Sequence, residues 1–279
     1  LTETENDLTV KANKRTFIFS KKDGQLKGVS VDNRKINFAN GPRFIGARRA
    51  DRSLDQFYNH DDEKAKEKDR TYSEFPDAAV FTKLDVKEDG GNLVVTANYK
   101  LGNLDKSQWT INPSGDLALD YTYNFSGVVD LMGIRFDYPE DQVISKRWLG
   151  AGPYRVWQNR IHGTQYDVWE NDYNDPIPGE TFTYPEFKGY FGDVSWMNIQ
   201  TKEGTISLTN ETPDTYIGVY QPRDGRDRLL YTLPESGISV LNVIPPVRNK
   251  VNSTDLCGPS SQPKWVNGPQ TGRVIFRFM

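Results

Sequence analysis

Two histidines and a larger set of carboxylates are the residues of this sequence that could move a proton. General acid–base catalysis places an acid and a base on opposite sides of the reacting group, and histidine is the side chain most often used. His60 stands beside a dense charge run at 61–68 and is expected to be solvated. His162, in the segment Arg160-Ile161-His162-Gly163-Thr164, is the better candidate, although a hydrogen-bonded structural role for it stays open.

Carboxylates are crowded in the third quarter of the chain, and these are Asp167, Glu170, Asp172, Asp175, Glu180 and Glu186. Hydrolysis of a glycosidic bond with retention needs two carboxylates about 5 Å apart, one of them kept protonated by its surroundings. Spacing along a β-rich sequence does not fix such a distance, so no catalytic residue is predicted. The stretch 167–175 could offer oxygen ligands to calcium, but it lacks the regular spacing of a calcium loop and favours an acidic surface segment. We therefore predict neither a metal nor a cofactor.

Five tryptophans are candidate platforms for a ligand ring, because an indole face can pack on an apolar surface while its edge tolerates water. Trp148 and Trp196 lie in strand-like segments and are predicted to be buried. For Trp157 and Trp169, both a buried position and a role as a platform stay open. Trp265 ranks first, since prolines and glycines surround it and predict a loop rather than a strand. Its side chain is expected to be partly exposed, either packed on its own loop or facing a ligand.

The elements that must position these residues are mostly strands. Arg15–Ser20 and Gln25–Val31 flank Lys21-Lys22-Asp23-Gly24, which ends in the Asp-Gly pair typical of hairpins. A second meander is predicted over 93–99, 108–111 and 117–123, with a turn at 112–116. Further strands are predicted at 204–209, 216–220 and 272–278.

Two segments interrupt this pattern. Residues 54–72 form a charged excursion that reads as a solvated helix or a mobile segment, and a long polar loop rich in proline and glycine is predicted near 245–270. No linker or internal repeat divides the sequence. We predict one all-β domain over 1–279, an antiparallel sandwich.

Composition excludes several partner classes. The formal charge is −3, from 35 basic and 38 acidic residues, so no overall field attracts nucleic acid or an anionic membrane, and the basic stretch at 46–49 is local. No apolar run approaches the roughly 18 residues of a membrane helix. Cys257 is the only cysteine and cannot form an intrachain disulfide. The polar start of the sequence has no signal-peptide pattern and no initiator methionine, which favours a mature or excised N-terminus.

Two segments in the middle of the chain carry a family resemblance. The first comprises Gly133-Ile134-Arg135-Phe136-Asp137-Tyr138-Pro139, then Trp148-Leu149-Gly150-Ala151-Gly152-Pro153 and Asn159-Arg160. The second is 184–196, with Pro185-Glu186 and Asp193-Val194-Ser195-Trp196. Together they resemble the C-terminal β-sandwich, or small chain, of family 2 β-galactosidases, with weaker similarity at 19–26, 41–44 and 272–278.

The resemblance implies a supersandwich of two antiparallel sheets, the galactose mutarotase-like fold. It implies a carbohydrate-associated domain that completes a sugar pocket, while the catalytic carboxylates lie in an upstream barrel domain on the same or a partner chain. The chain by itself is then a non-catalytic part of a glycoside hydrolase. The carbohydrate-binding residues implied are Trp265, His162, Arg160, Trp157 and Glu186. A galactoside or a plant or host glycan is the expected ligand, and the expected location is periplasmic or secreted.

One departure from the family keeps alternatives open. After Gly152-Pro153 the family has an acidic stretch, E-x-Y-x-D-R, whereas this sequence retains the arginine and lacks both acids. The sugar could therefore differ from galactose. The chain could also be a free-standing carbohydrate-binding protein, or a mutarotase- or epimerase-like enzyme that uses His162 and a carboxylate.

Overall fold

The computed structural model describes residues 1–49, 72–173, 189–219, 233–247 and 259–279. The first seven strands are β1 (Thr2–Glu3), β2 (Asp7–Ala12), β3 (Arg15–Ser20), β4 (Leu26–Val31), β5 (Arg34–Ile36), β6 (Ala39–Arg49) and β7 (Tyr72–Glu74). The next seven are β8 (Val80–Asp89), β9 (Asn92–Lys100), β10 (Leu104–Ile111), β11 (Leu117–Val129), β12 (Leu131–Asp137), β13 (Val143–Gly152) and β14 (Gln165–Asp172). The last six are β15 (Phe191–Gly192), β16 (Trp196–Thr201), β17 (Gly204–Asn210), β18 (Tyr216–Val219), β19 (Ile238–Val243) and β20 (Lys264–Phe278). Short 3₁₀ turns occupy Glu140–Gln142 and Pro259–Ser261.

These strands form two antiparallel sheets. The eleven-stranded sheet runs β1-β2-β3-β4-β6-β12-β19-β18-β15, with β5 beside β4 and β7 beside β6. The nine-stranded sheet runs β14-β13-β16-β17-β20-β11-β10-β9-β8. This all-β sandwich confirms the predicted fold class.

The core lies between the sheets and is rich in aromatic rings. Phe38 and Phe136 stack with their centroids 4.8 Å apart, and Phe276 from the other sheet lies 5.1 Å from Phe38 and 5.3 Å from Phe136. Trp109 is fully buried beside them. Side chains alternate between the two faces along each strand, so the inward-facing rings of the two sheets meet and pack together.

The predicted turns are confirmed in detail. In the β3–β4 hairpin, Gly24 has φ +74° and donates its N–H to the Ser20 carbonyl at 2.8 Å. A Cβ at Gly24 would come within 2.7 Å of Ala97, so both the turn and the packing require glycine. In the β10–β11 turn, the Asn112 side chain accepts the Asp116 N–H at 2.9 Å.

The loop predicted near 245–270 is wrong at its C-terminal side, where β20 begins at Lys264. The reason is visible at Pro269, which pairs with Asn124 of β11. Asn124 donates its backbone N–H to Asn103 on the other side, so Pro269 occupies a non-hydrogen-bonded position. β17 pairs only with the last part of β20, from Val274 onward, and the missing donor of Pro269 therefore points to an unpaired edge.

The charged excursion predicted at 54–72 lies outside the described residues, except that Tyr72 begins β7. Residues 248–258 of the predicted long loop, with Cys257, also lie outside them.

Candidate functional site

The outer face of the eleven-stranded sheet, turned away from the nine-stranded sheet, carries a second apolar cluster. Phe44 of β6 belongs to the main core, whereas the adjacent Ile45 belongs to the second cluster, together with Leu131 of β12 and Leu241 of β19. A strand that is apolar on both faces must be covered on both, because exposed apolar area is costly. The segment after β13 supplies that cover.

Val156 and Trp157 of this segment pack on the second cluster. Val156 and Tyr190 exchange two backbone hydrogen bonds of 2.7 Å, and the Trp157 ring meets the Tyr190 ring edge-on at 5.7 Å. Burial raises the pKa of Tyr190 well above its usual value, so its phenol stays neutral. Trp157 is only 3% exposed. The prediction of Trp157 as a sugar platform is therefore corrected: its ring covers the sheet.

The next two residues fasten the segment to two other parts of the chain. Asn159 donates from Nδ2 to the Val247 carbonyl at 2.7 Å and accepts the Val247 N–H at 2.9 Å. Gln158 donates from Nε2 to the carbonyls of Ser260 at 2.8 Å and Gln262 at 2.7 Å. We call Gln158 and Asn159 the amide latch. It fixes the 153–160 segment against 245–247 and against the residues that lead into β20.

Arg160 and His162 follow the latch directly. The backbone N–H groups of Arg160 and Trp157 point to each other's carbonyls at 2.9 and 3.4 Å, which closes a tight turn. Arg160 is exposed at the end of this turn, and His162 is exposed just beyond it. Thr164 donates its hydroxyl to the Ile161 carbonyl at 3.1 Å and closes the next turn. Both side chains are thus held on a fixed backbone and remain open to a ligand.

Trp265 lies at the beginning of β20 and is 71% exposed. It pairs with Val128 of β11, whereas the next residue, Val266, packs on the main core. Alternation along the strand therefore turns Trp265 outward, on the opposite side from Val266. The expected exposure is confirmed, but the expected loop setting is wrong, since the residue belongs to a strand. The latch bonds to Ser260 and Gln262 hold the residues just before it.

The other tryptophans are structural to different degrees. Trp148 is fully buried and donates its indole N–H to the Ala151 carbonyl at 3.0 Å. Trp196, predicted to be buried, is half-buried. Trp169 is half-buried, and it packs so closely over Gly152 that a Cβ there would come within 2.4 Å of the ring.

Three of the crowded carboxylates, Asp167, Glu170 and Asp172, lie exposed on β14, at one edge of the nine-stranded sheet. Neighbouring positions along this strand face opposite sides, which does not suit a calcium loop. Glu170 lies 3.9 Å from Arg147 of β13. Within the part of the chain that the structure describes, no cluster of three or more His, Cys, Asp or Glu side chains is placed to hold a metal. Glu186, with Asp175 and Glu180, lies outside the described residues.

The amide latch is the feature of the candidate site that the sequence analysis did not predict. The signal was present, because Gln158 and Asn159 stand in the stretch where the family's acids are missing. An amide both donates and accepts, and Asn159 uses both capacities on one backbone residue, which a carboxylate cannot do.

Comparison with known proteins now fixes the family. The family model described as "Beta galactosidase small chain" matches residues 11–245, which is most of the chain. The chain belongs to the β-galactosidase small-chain family. A comparison with curated protein sequences finds no match.

Solved structures similar to this small-chain domain are galactose mutarotase-like. Galactose 1-epimerase from Lactobacillus acidophilus NCFM is 9% identical, with a TM-score of 0.50 over 100% of this chain and 97% of that one. A putative aldose 1-epimerase from Escherichia coli K12 is 11% identical, with a TM-score of 0.45 over 98% of each chain. The α-N-acetylgalactosaminidase NagBb from Bifidobacterium bifidum is 9% identical, with a TM-score of 0.44, and the chain spans only 36% of its length. At these identities the likeness concerns the fold alone.

The described residues include no helix long and apolar enough to cross a membrane.

Proposed function

We propose that this small-chain domain completes the sugar pocket of a β-galactosidase-like glycoside hydrolase whose catalytic carboxylates lie in a barrel domain, on the same or a partner chain. The ligand is a galactoside or a related plant or host glycan. The observation that carries the proposal is the amide latch, which holds Arg160 and His162 at the surface on a fixed backbone in a member of this family.

The chemistry of the latched segment suits binding rather than bond cleavage. Arg160 offers up to five N–H donors to sugar hydroxyls, and His162 adds a ring nitrogen that can donate or accept. Both side chains stand on a backbone that the Asn159 and Gln158 bonds already hold, so little ordering is required when a ligand arrives.

The described candidate carboxylates of β14 do not lie in the setting that a general acid requires. The general acid of a retaining pair is kept protonated by an apolar or acidic setting. Asp167, Glu170 and Asp172 are all exposed on the edge strand β14, so none of them has the apolar enclosure that such an acid requires.

The test is the hydrolysis of p-nitrophenyl β-galactoside. The 279-residue chain alone should release no nitrophenol, whereas the native enzyme with its catalytic domain should do so. In the native enzyme, Arg160→Ala should raise KM by roughly tenfold or more, the scale of losing a hydrogen bond from a charged donor.

Arg147→Ala is the matched control, because Arg147 is an exposed arginine of β13 whose carboxylate contact is long, at 3.9 Å. It should leave KM unchanged. Turnover by the isolated chain, or equal KM values for the Arg160 variant and the wild type, would refute the proposal.

The proposed setting is periplasmic or secreted, where polymeric glycans meet an enzyme. Osmotic shock of the source cells tests this directly: the protein should appear in the shock fluid or the medium, and its retention with cytoplasmic markers would contradict it.

A further inference from the structure

A polar pocket of about 790 Å³ opens at the far end of β12 from the latched segment. Its walls come from β4, β5, β6, the end of β12 and residues 235–237. β12 spans seven residues, from Leu131 in the second apolar cluster to Asp137 in the pocket wall, so the two places are about 20 Å apart. The pocket is therefore a separate concavity on the same sheet.

One wall of the pocket is a bonded group of three side chains. The Arg43 guanidinium donates to Asp137, and Asn40 donates from Nδ2 to the other oxygen of Asp137 at 2.9 Å. Both the Arg43 and the Asp137 side chains remain partly exposed, at 28% and 47%. The exposed parts of Arg43 and Asp137 can still donate and accept hydrogen bonds to a ligand, while the charges of the pair largely cancel.

Two further cations of the pocket wall, Arg135 and Lys27, are compensated in the same way. Arg135 lies 3.5 Å from the Glu74 carboxylate and donates to the Glu235 carbonyl. The Lys27 ammonium donates to both carboxylate oxygens of Asp7, at 2.9 and 3.0 Å. Each of these two cations has a carboxylate partner within the protein, and the lining also includes Lys35, Glu140 and Glu235, so cationic and anionic side chains are nearly balanced around the pocket.

Hydrogen bonds from the other sheet and close backbone packing hold the pocket wall in place. Glu203 reaches across from the nine-stranded sheet, where it accepts the Asn37 backbone N–H at 3.0 Å and the Tyr138 hydroxyl at 2.9 Å. Gly41 lies against Phe136, and a Cβ there would come within 2.2 Å of the ring. A preformed wall of this kind lowers the entropy cost of binding.

We propose that this pocket binds a neutral polyhydroxyl ligand of mono- or disaccharide size. Hydroxyl groups both donate and accept, and this matches a wall in which compensated ion pairs present both functions side by side. The volume lies within the range of about 300–1,000 Å³ that small-molecule sites occupy. An anion that bound at Arg43, Arg135 or Lys27 would have to compete with an existing carboxylate partner.

Calorimetric titration with galactose, lactose and galacturonate tests the proposal on the full chain. Galactose or lactose should bind, and Asp137→Ala should weaken that binding by at least about tenfold because an acceptor is lost and Arg43 is left without its partner. The matched control is Asp120→Ala, which breaks an Asp–Arg pair of similar exposure, 39% and 41% with Arg273, on the other sheet. It should leave binding unchanged.

A second variant guards against a folding defect. Asn40→Gly removes only an amide, since the backbone φ of +51° at Asn40 suits glycine, and it should weaken binding about threefold to tenfold. All titrations are made in the Arg160→Ala background, which removes the contact that the proposed function assigns to the latched segment, so failure here is distinguishable from failure of the proposed function. The inference is overturned if neither neutral sugar binds. It is also overturned if binding survives both Asp137→Ala and Asn40→Gly, or if galacturonate binds more than tenfold tighter than galactose.

Discussion

Replacing Asn159 with alanine should release the latched segment and lower the stability of the whole chain. The side chain makes two short hydrogen bonds to the backbone of Val247, of 2.7 and 2.9 Å, and Val247 is 1% exposed. Alanine would leave a buried N–H and a buried carbonyl without these partners. Each orphaned group costs about 1–3 kcal/mol, so the expected loss for two is about 2–4 kcal/mol after partial relaxation towards water.

Thermal unfolding and hydrogen exchange measure this directly. For a chain of this size, about 1 kcal/mol lowers Tm by roughly 2 °C, which gives a decrease of roughly 4–8 °C. The Val247 amide should exchange much faster in the variant, because its acceptor is the lost side chain. Asn198→Ala, at a half-buried position of β16, is the control and should cost less than about 0.5 kcal/mol. An unchanged Tm together with a protected Val247 amide would show that the latch does not hold the segment.

Three further outcomes follow from particular contacts. Gly218→Ala should cost about 1–3 kcal/mol in chemical denaturation, because its Cβ would come within 2.2 Å of the buried Ser239 hydroxyl, and adding Ser239→Ala should recover part of the loss. The hydrogen bond from Arg277 lowers the pKa of Asp116, so this pair adds stability above the unfolded pKa of about 4 and loses it as pH falls through the folded pKa. Asp116→Asn should therefore be less stable than wild type at pH 7, by under about 1 kcal/mol because Arg277 is half exposed. The free energies of unfolding of the two proteins should converge near pH 2. A difference in stability that persists at pH 2 would contradict the assignment. Trp265→Ala should leave Tm nearly unchanged because the side chain is 71% exposed. If the ring is a sugar platform, the variant should weaken galactoside binding by about 1–3 kcal/mol. A large fall in Tm would instead show that Trp265 belongs to the core.

Much of the fold could be predicted because its signals are local. Alternation and turn residues identified β3, β4 and the meander of β9 to β11, and the structure places the expected turns at Gly24 and at 112–116. The beginning of β20 could not be predicted this way. Pro269 is tolerated only because β17 does not pair with that part of β20, and this fact depends on residues far along the chain.

The candidate site was harder to predict because it depends on which faces of the sheet need cover. In the sequence, Trp157 looks like an exposed platform, because it is an aromatic residue in a connecting segment. In the structure, Ile45 and Leu241 make the outer face of the sheet apolar, and Trp157 is buried against that face. Neighbouring apolar residues in β6, such as Phe44 and Ile45, are the sequence trace of a sheet covered on both faces. The polar pocket near Asp137 had no such trace, since its ion pairs join residues far apart in the sequence.

The position of β20 has a consequence for how the molecule is made. This strand follows the other described strands in the sequence, yet it lies at the centre of the nine-stranded sheet, with β14, β13, β16 and β17 on one side and β11, β10, β9 and β8 on the other. It pairs with β11 through thirteen residues and with β17 through five. Until β20 has been synthesised, each four-stranded half therefore has an open edge, and such edges favour aggregation. Nascent chains lacking residues 264–278 should accordingly be bound by chaperones as two separate half-sheets, which β20 joins into one when it folds between them.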